Sequence, residues 1–142
     1  MRFTAPLDIP AGYDTSTGNV DPLSAPPIGT IKLKYNTRDL VNNGWSGFPL
    51  NLGQASTNVL CQGFAQITGT LVCTLTASPM VSVDYPAIVE VRGFDYISAG
   101  DIIEIHFLEI QNGCQKNNNG KIELSAYKTK GDGTEIELIK DS

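Results

Sequence analysis

Much that marks a catalytic, membrane or nucleic-acid-binding protein is scarce in this chain. Charged residues make up 18% of its 142 residues, below the usual quarter, and it has one histidine, one tryptophan and three cysteines. No apolar run approaches the roughly 18–20 residues of a membrane-spanning helix. The longest, residues 102–110, is interrupted by Glu104, His106 and Glu109, so membrane insertion is not expected. Ten Lys and Arg stand against fifteen Asp and Glu, for a formal net charge of −5 and a pI near 4.7. A basic face able to displace counterions is missing, which argues against nucleic acid as a partner. With no CxxC pair and a single histidine, neither metal nor cofactor is expected. No Walker A, GxGxxG or GxSxG motif occurs, and the chain reads as a non-enzyme. No Asn-x-Ser/Thr sequon occurs either, which excludes N-glycosylation. Residues 1–14 lack an apolar signal-peptide core, so a leader has been removed or the chain is made in the cytosol.

Helical periodicity is missing too, and period-two alternation takes its place. AIVEVRGF (87–94), DIIEIHFLEI (101–110), KIELSAYK (121–128) and TEIELIK (134–140) alternate apolar with polar residues between Gly, Asn and Asp clusters. TIKLKY (30–35) is a further strand, and VLCQGFAQI–TG–TLVCTL reads as a hairpin. A short edge strand, MVSVDYP, ends at Pro86. This pattern predicts an all-β fold, an antiparallel β-sandwich or jelly roll. The expected core is Ile31, Leu33, Val59, Leu71, Leu75, Val89, Val91, Ile103, Ile105, Phe107, Ile122, Leu124, Ile136 and Leu138, with a bulge near Phe107 where the alternation slips.

Residues 1–29 differ from the rest and read as an extended, Pro-stiffened arm, leaving 30–142 as the sandwich domain. Phe3, Leu7 and Ile9 are odd residues for a solvated tail. With Ile31 and Leu33 of the first strand, they are candidates for docking on a neighbouring subunit. Thr15, Ser16, Thr17 and Ser24 lie among Gly and Pro and are candidates for O-linked sugars.

Few residues suggest chemistry. Cys61 and Cys73 flank the predicted hairpin and are disulfide candidates in a secreted protein, with Cys114 as an alternative partner of either; three unrelated thiols are the other reading. A tight Thr-Gly turn would set Phe64, not Cys61, opposite Cys73, so pairing Cys61 with Cys73 requires a bulge or a longer loop. His106 lies beside Glu104 on one strand, but no nucleophile is near in sequence. KGDGTE (130–135) has some oxygen ligands of a calcium loop, yet a tight hairpin turn explains it without metal. Trp45 and Phe48 in a Gly-rich loop, with Asn42 and Asn43, are candidate glycan contacts: aromatic rings cover the C–H face of a sugar and amides bond its hydroxyls.

Three segments, NVLCQGFAQITGTLVCTL, VEVRGFDYISAGDIIEIHFLEIQNG and GKIELSAYKTKGDGTEIEL, resemble the β-sandwich modules of large extracellular and fibrous surface proteins of protists, notably ciliates. The resemblance covers about 60% of the chain. It implies a secreted structural module without enzymatic role. The sequence therefore leads to an extracellular structural subunit that assembles with copies of itself into a fibre or surface layer. A carbohydrate-binding module and a viral jelly-roll structural protein are the alternatives.

Overall fold

The structure, a computed structural model, describes residues 1–16, 18, 21, 23–35, 57–76, 87–107 and 122–141. These form β1 (Arg2–Thr4), β2 (Ile28–Tyr35), β3 (Thr57–Val59), β4 (Cys61–Ala65), β5 (Gly69–Thr76), β6 (Ala87–Phe94), β7 (Ile102–Phe107), β8 (Ile122–Thr129) and β9 (Glu135–Asp141), and no helix among the described residues. A three-stranded sheet runs β1-β7-β4 and a six-stranded sheet β3-β5-β6-β2-β8-β9. Every pairing is antiparallel. The two sheets enclose one apolar interior, as the alternation predicts for a β-sandwich.

Alternation places the core. Ile31 and Leu33 on β2, Val89 and Val91 on β6, and Ile103 and Ile105 on β7 are buried. Leu71, Phe107, Leu124 and Leu138 pack half-buried around them. The side chains of Val59, Leu75 and Ile122 lie outside the described set, as do the predicted edge strand at 80–86 and the residues beyond Phe107 where a bulge is expected. The core also takes in Cys73 and Ala126, which continue the faces of Leu71 and Leu124, and Ala5, Ile9, Ile67, Phe94 and Ile97, which the expected core does not include.

The outer face of the six-stranded sheet is polar and paired. Lys32 donates to Glu135 Oε1 at 2.6 Å, and its Nζ lies 3.9 Å from Glu90 Oε1 and 4.5 Å from the centre of the Tyr127 ring. Arg92 sits 3.5 Å from the other Glu90 oxygen. Charges on neighbouring strands thus alternate in sign, which suits a solvated face.

The segment read as a single hairpin is divided between the sheets. β3 pairs with β5, Val59 opposite Cys73, while β4 pairs with β7, Cys61 opposite Phe107. Ile67 is the cause: it is 5% exposed, and burying its side chain between the exposed Gln66 and Thr68 carries the chain from one sheet to the other instead of round a tight turn. Ala65 turns the chain at φ 62° and Gly69 opens β5 at φ 98°. The Gln66 side chain accepts from the Ile102 N–H at 2.6 Å, supplying the acceptor the turning backbone withdraws.

Cys61 and Cys73 therefore face each other across the interior, not along a hairpin, and form a disulfide with Cα atoms 6.2 Å apart. This bond joins the two sheets covalently. It needs neither the bulge nor the longer hairpin loop that a same-sheet pairing would require.

Candidate functional site: the docked N-terminal strand

The first residues of the chain complete the smaller sheet. Met1, Phe3 and Ala5 alternate with the exposed Arg2 and Thr4, a half-buried strand in miniature. β1 lies against β7 in the register Arg2↔Glu104, Phe3↔Ile103, Thr4↔Ile102. The Met1 amino group donates to the Ile105 carbonyl at 3.0 Å, and the Ile105 N–H returns to the Met1 carbonyl at 2.9 Å. Ala5 continues the ladder, its N–H donating to Asp101 O at 2.9 Å and its carbonyl accepting from Gly100 at 2.7 Å. Pro6 has no donor, and the chain leaves the sheet there with Leu7 exposed.

It returns at Ile9. Ile9 and Ile97 exchange both N–H···O bonds, at 2.8 and 3.0 Å, and both side chains are essentially fully buried. Gly12 then exchanges bonds with β6: its N–H donates to Phe94 O at 2.8 Å and its carbonyl accepts from Gly93 at 2.9 Å. The Gly29 N–H at the start of β2 donates to Ala11 O at 2.9 Å. These crossings are close enough to demand glycine. A Cβ on Gly29 would stand 2.0 Å from Pro10 O, and one on Gly12 would stand 2.8 Å from Gly93 N.

Two tyrosine–aspartate pairs fasten the segment from outside, one donor on each side. Tyr13 donates to Asp95 Oδ1 at 2.8 Å, and Thr68 donates to Asp95 Oδ2 at 2.9 Å. These hydroxyls hold Asp95 below the usual carboxylate range, Tyr13 contributing most, and the same bond raises Tyr13. In the reverse direction Tyr96 bonds Asp8, whose Oδ1 also accepts from the Ala99 N–H at 2.8 Å. The Ala99 bond and then the Tyr96 bond lower Asp8, and Tyr96 is raised in turn.

Residues 1–12 are thus integrated through main-chain bonds, apolar burial and two side-chain clasps. The following segment, 13–27, is different in kind. Its described bonds beyond Tyr13 are local: Asp14 accepts from the N–H and hydroxyl of Ser16, and Asp21 accepts from Leu23, Ser24 and Ala25 in a turn. Leu23 at its tip is 80% exposed. The segment's described residues lie at the surface, and its ends are pinned side by side by the Ala11–Gly29 bond.

The other candidates fall into place around this segment. Phe3 is half-buried, Leu7 exposed and Ile9 buried, all within this chain's own fold. Ile31 and Leu33 lie in β2, which is hydrogen-bonded to β6 on one side and β8 on the other. That strand has no edge to offer a neighbour. Thr15 is exposed, and Ser16 and Ser24 bond Asp14 and Asp21 as above. Thr17, Asn42, Asn43, Trp45, Phe48 and Cys114 lie outside the described residues.

His106 stacks on Phe64 with ring centroids 4.3 Å apart, and its Nε2 is 3.8 Å from Glu104 Oε1, which is also 3.7 Å from Arg2. Among the described residues no group of three metal-ligating side chains occurs. The KGDGTE segment is a hairpin turn: Gly133 N–H donates to Lys130 O at 2.9 Å, Gly133 has φ 90°, and Thr134 N–H donates to Asp132 Oδ1 at 2.9 Å.

Sequence reasoning marked Phe3 and Ile9 as anchors and named Ile103, which Phe3 faces, as core, but missed Ile97, which Ile9 faces, and the buried Phe94. The available clue was the apolar pair in GFDYIS (93–98) just past the end of a strand, where the alternation no longer specifies a face. No protein-family model, curated protein or solved structure matches the chain.

Proposed function

We propose that this protein is an extracellular structural subunit, and that copies assemble by exchanging the N-terminal strand. The observation that carries the reading is the two-part character of residues 1–27. Residues 1–12 complete a sheet and bury Ala5 and Ile9, while 13–27 are a Pro-containing connection whose described residues are exposed or half-buried and contribute none to the apolar core. Every bond that holds the strand runs between it and the body of the fold. A second copy's body offers the same bonds, so exchange changes the connection and little else. Prolines in that connection favour an extended path over a reversal, which shifts the balance toward exchange. The inter-sheet disulfide fits an oxidising, extracellular compartment.

Arg2 and Glu104 test the exchange. They are directly opposite in a non-hydrogen-bonded pair, where Cα atoms approach within about 4.5 Å, a separation a disulfide can bridge. Arg2→Cys with Glu104→Cys, in a Cys114→Ser background, records which chain's strand occupies each β7. The expected result after concentrated refolding and oxidation is a covalent dimer on a non-reducing gel. Cross-linked monomer alone, at every concentration, overturns the reading.

A further inference from the structure

Exchange of one strand between two copies closes on itself and stops at a dimer. A fibre or layer needs a second contact, and the sheet edges show where it lies. The two sheets end at β1, β4, β3 and β9. Edges are normally blunted by charge, proline or brevity. β9 carries Glu135, Glu137, Lys140 and Asp141; β1 and β3 are three residues each, β1 with Arg2. β4, Cys61–Ala65, has five residues and contains neither charge nor proline. From this edge, open among the described residues, we infer that β4 pairs antiparallel with β4 of a second copy, joining two three-stranded sheets into one.

Alternation fixes which backbone groups are free. The Gln66 N–H donates to Ile102 O at 2.9 Å, so the even-numbered residues of β4 bond β7. On the other side of β7 the odd-numbered Ile105 exchanges bonds with Met1. The N–H and C=O groups of Cys61, Gly63 and Ala65 therefore point away from the sheet, and no partner for them occurs among the described residues. A two-fold axis through Gly63 brings these groups into register with themselves. It sets Gln62 opposite the second copy's Phe64 on the outer face, twice over. Of the residues along this strand Cys61 and Gly63 are the half-buried ones and both are small, and Gly63 itself has no room for a Cβ, which would stand 2.9 Å from Ile67 Cγ2. Phe64 and the preceding Leu60 are 37% and 57% exposed, so the edge is apolar as well as unpaired among the described residues.

The self-matching register about Gly63, in the same sheet as β1, points to a second copy as the occupant. Two chains of net charge −5 repel, and they meet at least cost along an uncharged strip. The contact is small: five residues make a strip about 17 Å long, well short of the ~800 Å² per partner of a stable complex. It is weak alone and gains effective concentration from arm exchange at the opposite edge of the same sheet. Alternating the two contacts, β1 exchange and β4 pairing, propagates without closing. This part rests on the assembly reading above, and the arm-locked protein separates the two.

The experiment uses the full chain with Arg2→Cys, Glu104→Cys and Cys114→Ser, oxidised as the intramolecularly cross-linked monomer, so that exchange cannot contribute. Amide NMR and hydrogen exchange are followed as the protein is concentrated toward millimolar. The expected result is that the Gly63 and Ala65 amides shift and exchange more slowly with concentration. Gln62→Lys and Gln62→Glu move the net charge in opposite directions, and both should abolish the effect. Concentration-independent amides at Gly63 and Ala65, or shifts confined to another face, overturn the inference. Edge pairing in the locked protein combined with failed cross-linking between chains would instead overturn arm exchange alone.

Discussion

Removing the inter-sheet disulfide gives a prediction whose size follows from the chain. Cys61 and Cys73 are separated by 12 in sequence, and closing a loop of that length restricts the unfolded chain by about 3 kcal/mol. Unfolding a 142-residue domain releases roughly 0.3 kcal/mol/K at the midpoint, from about 2.1 cal/mol/K per residue, so the loss corresponds to a fall in Tm of about 10 °C. Cys73 is 3% exposed, so reductant reaches the bond only through local opening. The clean comparison is therefore between Cys114→Ser and the same protein with Cys61→Ala and Cys73→Ala. Thermal and urea melts of the two should differ by that amount, with a larger urea m-value for the variant, whose unfolded chain is more expanded. Cavity formation adds little, because each substitution removes a single sulfur. A Tm change of under about 3 °C, a loss of less than 1 kcal/mol, with an unchanged m-value would refute the loop-closure reasoning. It would mean that the unfolded chain already holds the 61–73 segment together.

Two further predictions concern the docked strand. Gly29→Ala places a methyl group 2.0 Å from Pro10 O and cannot be accommodated without breaking the Gly29–Ala11 bond. Freed from its crossing, the segment should lose the burial of Ile9, worth about 1.5–3 kcal/mol. Hydrogen exchange should show lost protection at Ile9, Gly12 and Ile97 while the Ile31 and Val91 amides stay protected; uniform loss across the fold would show instead that the strand and the sandwich unfold as one unit. The second prediction is a stability plateau bounded on both sides. Asp8, Asp14, Asp95 and Asp132 are lowered in the folded state, so the unfolded chain binds more protons and stability declines as pH falls below about 4. Tyr13 and Tyr96 are raised, so their contribution is intact below about pH 10 and is lost as pH climbs through their folded values. Melts across pH should show Asp95→Asn flattening the acid limb and lowering the alkaline one toward the ordinary tyrosine range; an unaltered profile would remove the Tyr13–Asp95 bond from the account.

The sandwich was legible because its strands announce themselves locally. Ile31 and Leu33, Val89 and Val91, and Ile103 and Ile105 each form an i, i+2 pair, and each pair is buried as its spacing requires. What alternation does not contain is the identity of the neighbour. VLCQGFAQITGTLVCTL has the periodicity of a hairpin whether it folds back on itself or divides between sheets. Ile67, the last residue of the expected first strand, is buried in the interior, and nothing in its place in the pattern distinguishes the two. The buried Phe94 and Ile97 escaped for a related reason. They sit at and beyond the end of β6, where the backbone no longer alternates, and their burial is created by residues more than eighty positions earlier.

That separation bears directly on assembly. Strands joined by a short turn are committed to each other by the turn, because its length fixes both register and partner. β8 and β9 are of this kind, joined through Gly131, Asp132 and Gly133. β1 and β7 are not: Phe3 meets Ile103 across a hundred residues of chain, and nothing in the contact itself depends on which chain supplied Phe3. What commits the strand to its own body is the connection through 13–27, whose ends the Ala11–Gly29 bond holds together. The preference for self over neighbour is then a property of that loop. Its length and prolines, more than the anchors Phe3 and Ile9, should set how readily copies exchange strands. Lengthening it with Gly and Ser should therefore favour the closed monomer without altering a single contact of the docked strand.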